Sequence, residues 1–166
     1  MKGWRLATGD WRLKGGFTLI ELVVILILVG ILAAVAIPKF MDLGRQSRIN
    51  TTKKEMQDLK VAIIGDPDAI AAGRYSKPGY WGDVGALPSS LNDLITKPGP
   101  VSAFNKYTQR GWNGPYIESD LLQDAWGTNF VYQTPDGTGG RRFIITSYGP
   151  DQASGGGDDI TLDITF

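Results

Sequence analysis

The sequence predicts an α+β fold, one long N-terminal helix packed on a small C-terminal antiparallel sheet. Three patterns predict it. Residues 17–37 carry a single charge, Glu21, and read as a continuous apolar helix. Beyond them Ile49, Thr52, Met56, Leu59 and Ile63 recur at three- and four-residue steps, the spacing of one helical face. At the other end Ile160, Leu162, Ile164 and Phe166 alternate with polar residues, the period of a half-buried strand.

The first element starts after a basic stretch. Residues 1–16 hold Lys2, Arg5, Arg12 and Lys14 against Asp10. From Phe17 to Ile37 a helix would measure about 31 Å at ~1.5 Å per residue, enough to span a bilayer core of roughly 30 Å. A plain signal anchor is one reading of this segment. A cleaved secretory signal is another, with Ala34-Val35-Ala36 as its small-residue cleavage site. Glu21 stands against the cleaved signal, since it interrupts the apolar core near its start, and in any reading a lone charge at bilayer depth costs roughly 2.5–3.5 kcal/mol on insertion scales. It is either protonated at the membrane interface or paired. Gly30 and Ala34 form a small-xxx-small pair that suits close helix packing.

Pro38 falls where the helix would leave lipid and is expected to kink it rather than end it. The helix should then run from about Phe17 to Ile64, stopped by Gly65 and Pro67. Its apolar stripe is expected to pack on the protein's own sheet. The basic residues from Lys39 to Lys60 read as a solvated face rather than a lipid or nucleic-acid contact. Because Lys39, Arg45, Arg48, Lys53 and Lys54 follow the span closely, the positive-inside rule does not orient it.

Residues 66–116 are rich in Pro, Gly and aromatics (Gly79-Tyr80-Trp81-Gly82, Lys97-Pro98-Gly99-Pro100) and weak in periodicity. They read as an ordered connection held by tryptophan and tyrosine packing, with a helical turn at Leu91–Ile95. Strands are expected at Phe130–Tyr132, Arg142–Thr146 and Asp159–Phe166, with a turn at Pro135–Gly140. The apolar residues of the last strand should face the helix.

Composition narrows the function. The chain of 166 residues has no cysteine and no histidine. That excludes disulfides, thiolate and imidazole metal sites, and Ser-His-Asp or Cys-His catalysis. An enzyme would have to rest on carboxylates, lysines or tyrosines, and none is expected. Charge is balanced at 17 basic and 17 acidic residues; without residues 1–16 it becomes 13 against 16, which argues against nucleic-acid binding. Between the last two strands lies Ser147-Tyr148-Gly149-Pro150-Asp151-Gln152-Ala153-Ser154-Gly155-Gly156-Gly157-Asp158-Asp159, long for a hairpin connection. Its three carboxylates and flexible glycines suit either a solvated turn or a Ca²⁺ site, which takes hard oxygen ligands at about 2.3–2.6 Å.

Lys14-Gly15-Gly16-Phe17-Thr18-Leu19-Ile20-Glu21 closely resembles the processing site of type IV pilins and the type II secretion pseudopilins. Trp112-Asn113-Gly114-Pro115-Tyr116, Asp124-Ala125-Trp126-Gly127 and Ser147-Tyr148-Gly149-Pro150-Asp151 leading to Asp158-Asp159-Ile160 look like the major pseudopilin of those secretion systems. The resemblance covers residues 14–64 and 112–166. It departs at Ala125, where the family usually has proline, and at Asn129-Phe130, where it has Pro-Tyr.

The resemblance implies a pilin fold with three parts: residues 1–16 a cleaved prepilin leader, 17–38 a transmembrane and assembly helix, and 39–166 an extracytoplasmic domain including the second half of the helix. It implies that a prepilin peptidase cuts after Gly16 and methylates Phe17, and that Glu21 pairs with the new N-terminal amine of a neighbouring subunit. A buried carboxylate beside an ammonium costs far less than either alone. It further implies one Ca²⁺ held by Asp151, Asp158 and Asp159, with main-chain carbonyls such as that of Tyr148. The implied partners are further copies in a helical filament, minor pseudopilins, a secretion ATPase and an inner-membrane platform. The expected function is a structural subunit of a secretion pseudopilus that grows from the inner membrane into the periplasm and drives protein export. The alternative is a type IV pilin of a surface pilus for adhesion, motility or DNA uptake.

Overall fold

The computed structural model describes residues 16–66, 68–71, 74, 75 and 77–166. The expected leader lies outside them except for Gly16. Helix α1 runs Leu19–Ile64 as one element of 46 residues, with Pro38 inside it. It starts two residues later than expected. Thr18 precedes it, and the Thr18 hydroxyl accepts the Glu21 amide proton at 3.2 Å, an N-terminal cap that satisfies one of the free donors of the first turn.

The chain divides after Asp42 into two compact units. In the first, every large apolar side chain from Phe17 to Met41 is exposed, Leu19 at 82% and Phe40 at 71%. By length and composition α1 is able to cross a membrane, its most apolar window reaching a mean hydropathy of 3.1.

The second unit is built round the remainder of α1. Thr52, Met56, Leu59, Ala62 and Ile63 are its buried residues. The expected stripe is therefore present, with Ile49 half-buried and Ala62 added. Its apolar members share one core with Tyr80, Leu87, Leu91, Leu94, Phe130 and, from the sheet, Phe143 and Ile145.

The connection after α1 is more structured than its weak periodicity suggested. It contains a two-residue pairing of β1 (Ile70–Ala71) with β2 (Arg74–Tyr75) and a short helix α2 (Gly79–Val84). The expected turn at Leu91–Ile95 is a 3₁₀ helix over Leu91–Leu94. Its entry is fixed by Asp93, whose carboxylate accepts the amide protons of Ser89 and Ser90. Aromatic packing holds the segment: Tyr80 meets Tyr116 edge-on at 5.7 Å, and Trp112 meets Tyr116 at 5.9 Å. The Trp112 indole also donates to the Asp93 carbonyl at 2.8 Å.

Strands β3 (Val131–Gln133), β4 (Arg142–Ser147) and β5 (Ile160–Thr165) form an antiparallel sheet in that order. The central strand buries Phe143, Ile145 and Ser147 and turns Arg142, Ile144 and Thr146 outward to partial cover, so inward and outward side chains alternate. Strand β5 alternates as its sequence demands, with Ile160, Leu162 and Ile164 half-buried. Ile160 and Leu162 line a cleft with Met56 and Gln57 of α1, so the strand does turn its apolar side to the helix. Phe166 packs on Trp81 at 5.1 Å and on Phe143 at 6.4 Å.

Candidate functional site

Two places carry the residues singled out by the sequence. At the start of α1, Glu21 occupies the first turn, where a carboxylate is favoured by the helix dipole. Its backbone is tied to Thr18, and both Phe17 and Ile20 beside it are exposed, at 75% and 70%. The Thr-x-x-Glu spacing of Thr18 and Glu21 is the sequence signature of a helix start. That signal is in the sequence, and reading Glu21 for its charge alone passes over it.

The second place is the acidic loop between β4 and β5. A 3₁₀ turn, Gly149–Asp151, opens it. Gly149 has φ 73° and packs against the Asp158 main-chain carbonyl so closely that a Cβ would overlap the oxygen. Gly156, at φ 81°, closes the loop; a Cβ there would lie 3.0 Å from both Asp151 Oδ2 and Asp158 Oδ1. Both positions need glycine for conformation as well as space. The two carboxylates thus converge on one point.

Asp151 and Asp158 are joined further, the Asp151 amide donating to Asp158 Oδ2 at 3.4 Å. Asp151 Oδ1 accepts the Ala153 amide proton at 2.9 Å. Asp159 is arranged differently. Its Oδ2 accepts the Gly155 amide proton at 3.0 Å, whereas its Oδ1 is buried with no hydrogen-bond partner. Among the described residues no three acidic side chains are gathered into a set able to hold a metal ion. The structure brings two of the three predicted residues together and leaves the third with an unsatisfied oxygen beside them in sequence. Hard, anionic oxygens of this kind are the donors that Ca²⁺ takes, and a buried oxygen without a donor is costly unless something satisfies it.

Below the loop sits a buried polar network whose wiring the sequence does not display. Asp124 is 5% exposed. Its Oδ1 accepts the amide protons of Trp126 and Thr128 at 3.0 and 2.9 Å, and its Oδ2 accepts the Ser147 hydroxyl at 2.6 Å. Ser147 Oγ in turn accepts the Gly149 amide proton at 3.1 Å. On the other side of the turn, the Ala125 amide donates to Thr52 Oγ1 of α1 at 3.2 Å. A proline at position 125, the residue more usual in the resembling family, would have no proton to give. Gln152 adds a second tie, its side-chain amide donating to the Trp126 carbonyl at 3.2 Å.

Two other acids are perturbed. Burial pushes the Asp83 carboxyl up, against the lowering pull of hydrogen bonds from Tyr116 and Asn113; the Tyr116 hydroxyl donates to Asp83 Oδ2 at 2.9 Å. Burial also raises Glu55, and the neighbouring charges of Asp124, Asp58 and Asp120 raise it further. Glu55 Oε2 is shut from solvent without a hydrogen-bond partner.

Comparison with known proteins matches this architecture at both ends. Residues 11–37 match the prokaryotic N-terminal methylation motif, and residues 77–165 match the family model described as type II secretion system (T2SS), protein G. Proteins named type II secretion system core protein G are similar over most of both chains. That of Pseudomonas aeruginosa is 33% identical over 148 residues, 89% of this chain and 92% of its own. That of Xanthomonas campestris is 29% identical over 86% of this chain and 83% of its own, and that of Escherichia coli 27% over 88% of each. No solved structure matches the chain. An apolar helix exposed along its first half, a three-stranded sheet on its second half and the matched residues agree: the chain belongs to the type II secretion system protein G family, the major pseudopilins.

Proposed function

We propose that this pseudopilin works by polymerisation, as the repeating subunit of a filament that grows from the inner membrane into the periplasm and drives protein export. The observation that carries the reading is the exposed apolar half of α1. So large an apolar surface is stable in lipid before assembly and against the same surface of other subunits after it. The family's structural role accounts for the chain without any catalytic step.

In this reading a prepilin peptidase cuts between Gly16 and Phe17 and methylates Phe17. Thr18 remains to cap the helix, and Glu21 stands in its first turn, four residues after the new N-terminus. Glu21 then pairs with the amine of a neighbouring subunit, so that docking removes the cost of a lone charge. The leader stays in the cytoplasm and the domain from residue 39 onward is periplasmic. A cytoplasmic ATPase and a membrane platform supply the work of extraction, and minor pseudopilins join the same filament.

The acidic loop is a Ca²⁺ site in this reading. Asp151, Asp158 and Asp159 would hold the ion together with main-chain carbonyls such as that of Tyr148. The convergence of two carboxylates at Gly156 and the unsatisfied Asp159 Oδ1 support it. A bound Ca²⁺ supplies positive charge that removes carboxylate repulsion and cross-links the two ends of the loop.

Profiling of proteins in culture supernatant, with and without the gene, tests the function. Specific exported proteins should disappear from the medium and accumulate in the periplasm. Wild-type protein should restore them and a Gly16→Val variant should not. An unchanged supernatant with loss of surface fibres would overturn the secretion reading in favour of a surface pilus.

A further inference from the structure

The contacts under the acidic loop run in an unbroken series from helix to carboxylates. Thr52 holds the Ala125 amide, the turn at Asp124–Thr128 is closed by the Asp124 side chain, and Asp124 Oδ2 takes the Ser147 proton. Ser147 holds the Gly149 amide, and Gly149 lies against the Asp158 carbonyl. Asp124 and Ser147 are 5% and 0% exposed, so neither can reach an ion at the loop surface. Each of their polar atoms nevertheless has a partner in the turn or at the root of the loop. An ionised acceptor strengthens such bonds, and the low local dielectric makes the geometry strict.

We infer that Asp124 and Ser147 are positioning residues: they set the backbone at Gly149 so that Asp151 and Asp158 face each other before any ion arrives. This rests on the Ca²⁺ reading of the loop for its ligand, and on the geometry alone for its mechanism. Holding the two carboxylates near each other in the absence of a cation is work against their repulsion. The anchor that opposes it is the Ser147 hydroxyl, which sits at the end of β4 where the strand register with Ile160 is already fixed. Ala125 extends the anchor to α1, since its amide proton gives Thr52 a partner.

The test uses the full chain in detergent micelles, stripped with EGTA and titrated with CaCl₂ by calorimetry, alongside amide hydrogen exchange in EGTA. Ser147→Ala removes the hydroxyl with little change of volume, and Asp124→Asn keeps shape while replacing the acceptor, so one serves if the other folds poorly. Tyr116→Phe is the control, losing the hydrogen bond to Asp83 in the same unit and outside the series under the loop. Ser147→Ala should raise the calcium dissociation constant tenfold or more and speed exchange over residues 148–159, with α1 exchange unchanged. Tyr116→Phe should leave the dissociation constant within twofold. Wild-type affinity in Ser147→Ala, unchanged loop exchange, or an equal loss in Tyr116→Phe overturns the inference and leaves the calcium reading intact. A wild type that takes up no calcium overturns the calcium reading and the inference with it.

Discussion

Within α1, Leu19, Leu32 and Phe40 are 82%, 69% and 71% exposed, whereas Met56, Leu59 and Ile63 are 2%, 0% and 0% exposed. The two halves belong to one helix and both are apolar on at least one face. They differ in who covers them. The second half has one apolar stripe and finds its cover in the same chain, from Phe143, Ile145 and the aromatics of the connection. The first half is apolar all round, as a buried or membrane helix is, and its large apolar side chains are left exposed among the described residues. Folding of the domain therefore draws on the second stretch, and the assembly proposed above draws on the first.

The sharpest way to break that comparison is to truncate one leucine in each half. Leu59→Ala should destabilise the domain by about 2–5 kcal/mol, the cost of a cavity in a packed core. Leu32→Ala should leave unfolding of the detergent-solubilised monomer unchanged. Urea unfolding followed by tryptophan fluorescence distinguishes them, and equal losses would show that the first half is covered by the chain itself. A smaller effect is expected at Tyr116. Tyr116→Phe removes the hydroxyl that serves buried Asp83, at a cost of about 1–3 kcal/mol for an acceptor left short of a donor. The same unfolding assay reads it, and wild-type stability would mean that Asn113 alone satisfies Asp83.

The smallest effect has the opposite sign. Glu55 titrates above its ordinary value of 4.5 because burial and the Asp124, Asp58 and Asp120 charges disfavour its ionised form. The folded state therefore binds the proton more tightly than the unfolded state, and stability falls as pH rises from 4.5 through the raised value. Glu55→Gln removes that penalty. It should stabilise the domain at pH 7 by less than about 1 kcal/mol, since Glu55 as a whole is only half-buried although its Oε2 is covered, and partial exposure discounts the effect; the gain should vanish below pH 4.5. Melting curves across pH 4 to 8 check it; a gain that does not depend on pH would place its cause elsewhere.

The elements themselves were legible because their signals are local. The stripe from Thr52 to Ile63 was readable, as were the turn at Pro135–Gly140 and the alternation from Ile160 to Phe166, since each shows its period within a few residues. Helix α2 was not, because six residues of Gly79-Tyr80-Trp81-Gly82-Asp83-Val84 hold two glycines and no period. The loop's three aspartates were found as a cluster. Their unequal roles in the fold, Asp151 facing Asp158 while Asp159 turns to Gly155, depend on backbone angles that composition does not specify.

By itself, then, the sequence determined the long helix, its division into an all-apolar and an amphipathic half, and the final strands. Period and charge along a single stretch decide all of these. Tertiary structure decided which polar groups answer one another: Thr52 with Ala125 across 73 residues, Asp83 with Tyr116 across 33, Asp124 with Ser147 across 23. A buried polar group must find a partner or carry the cost of desolvation. Which partner it finds is settled by the fold that brings distant segments to the same few ångströms.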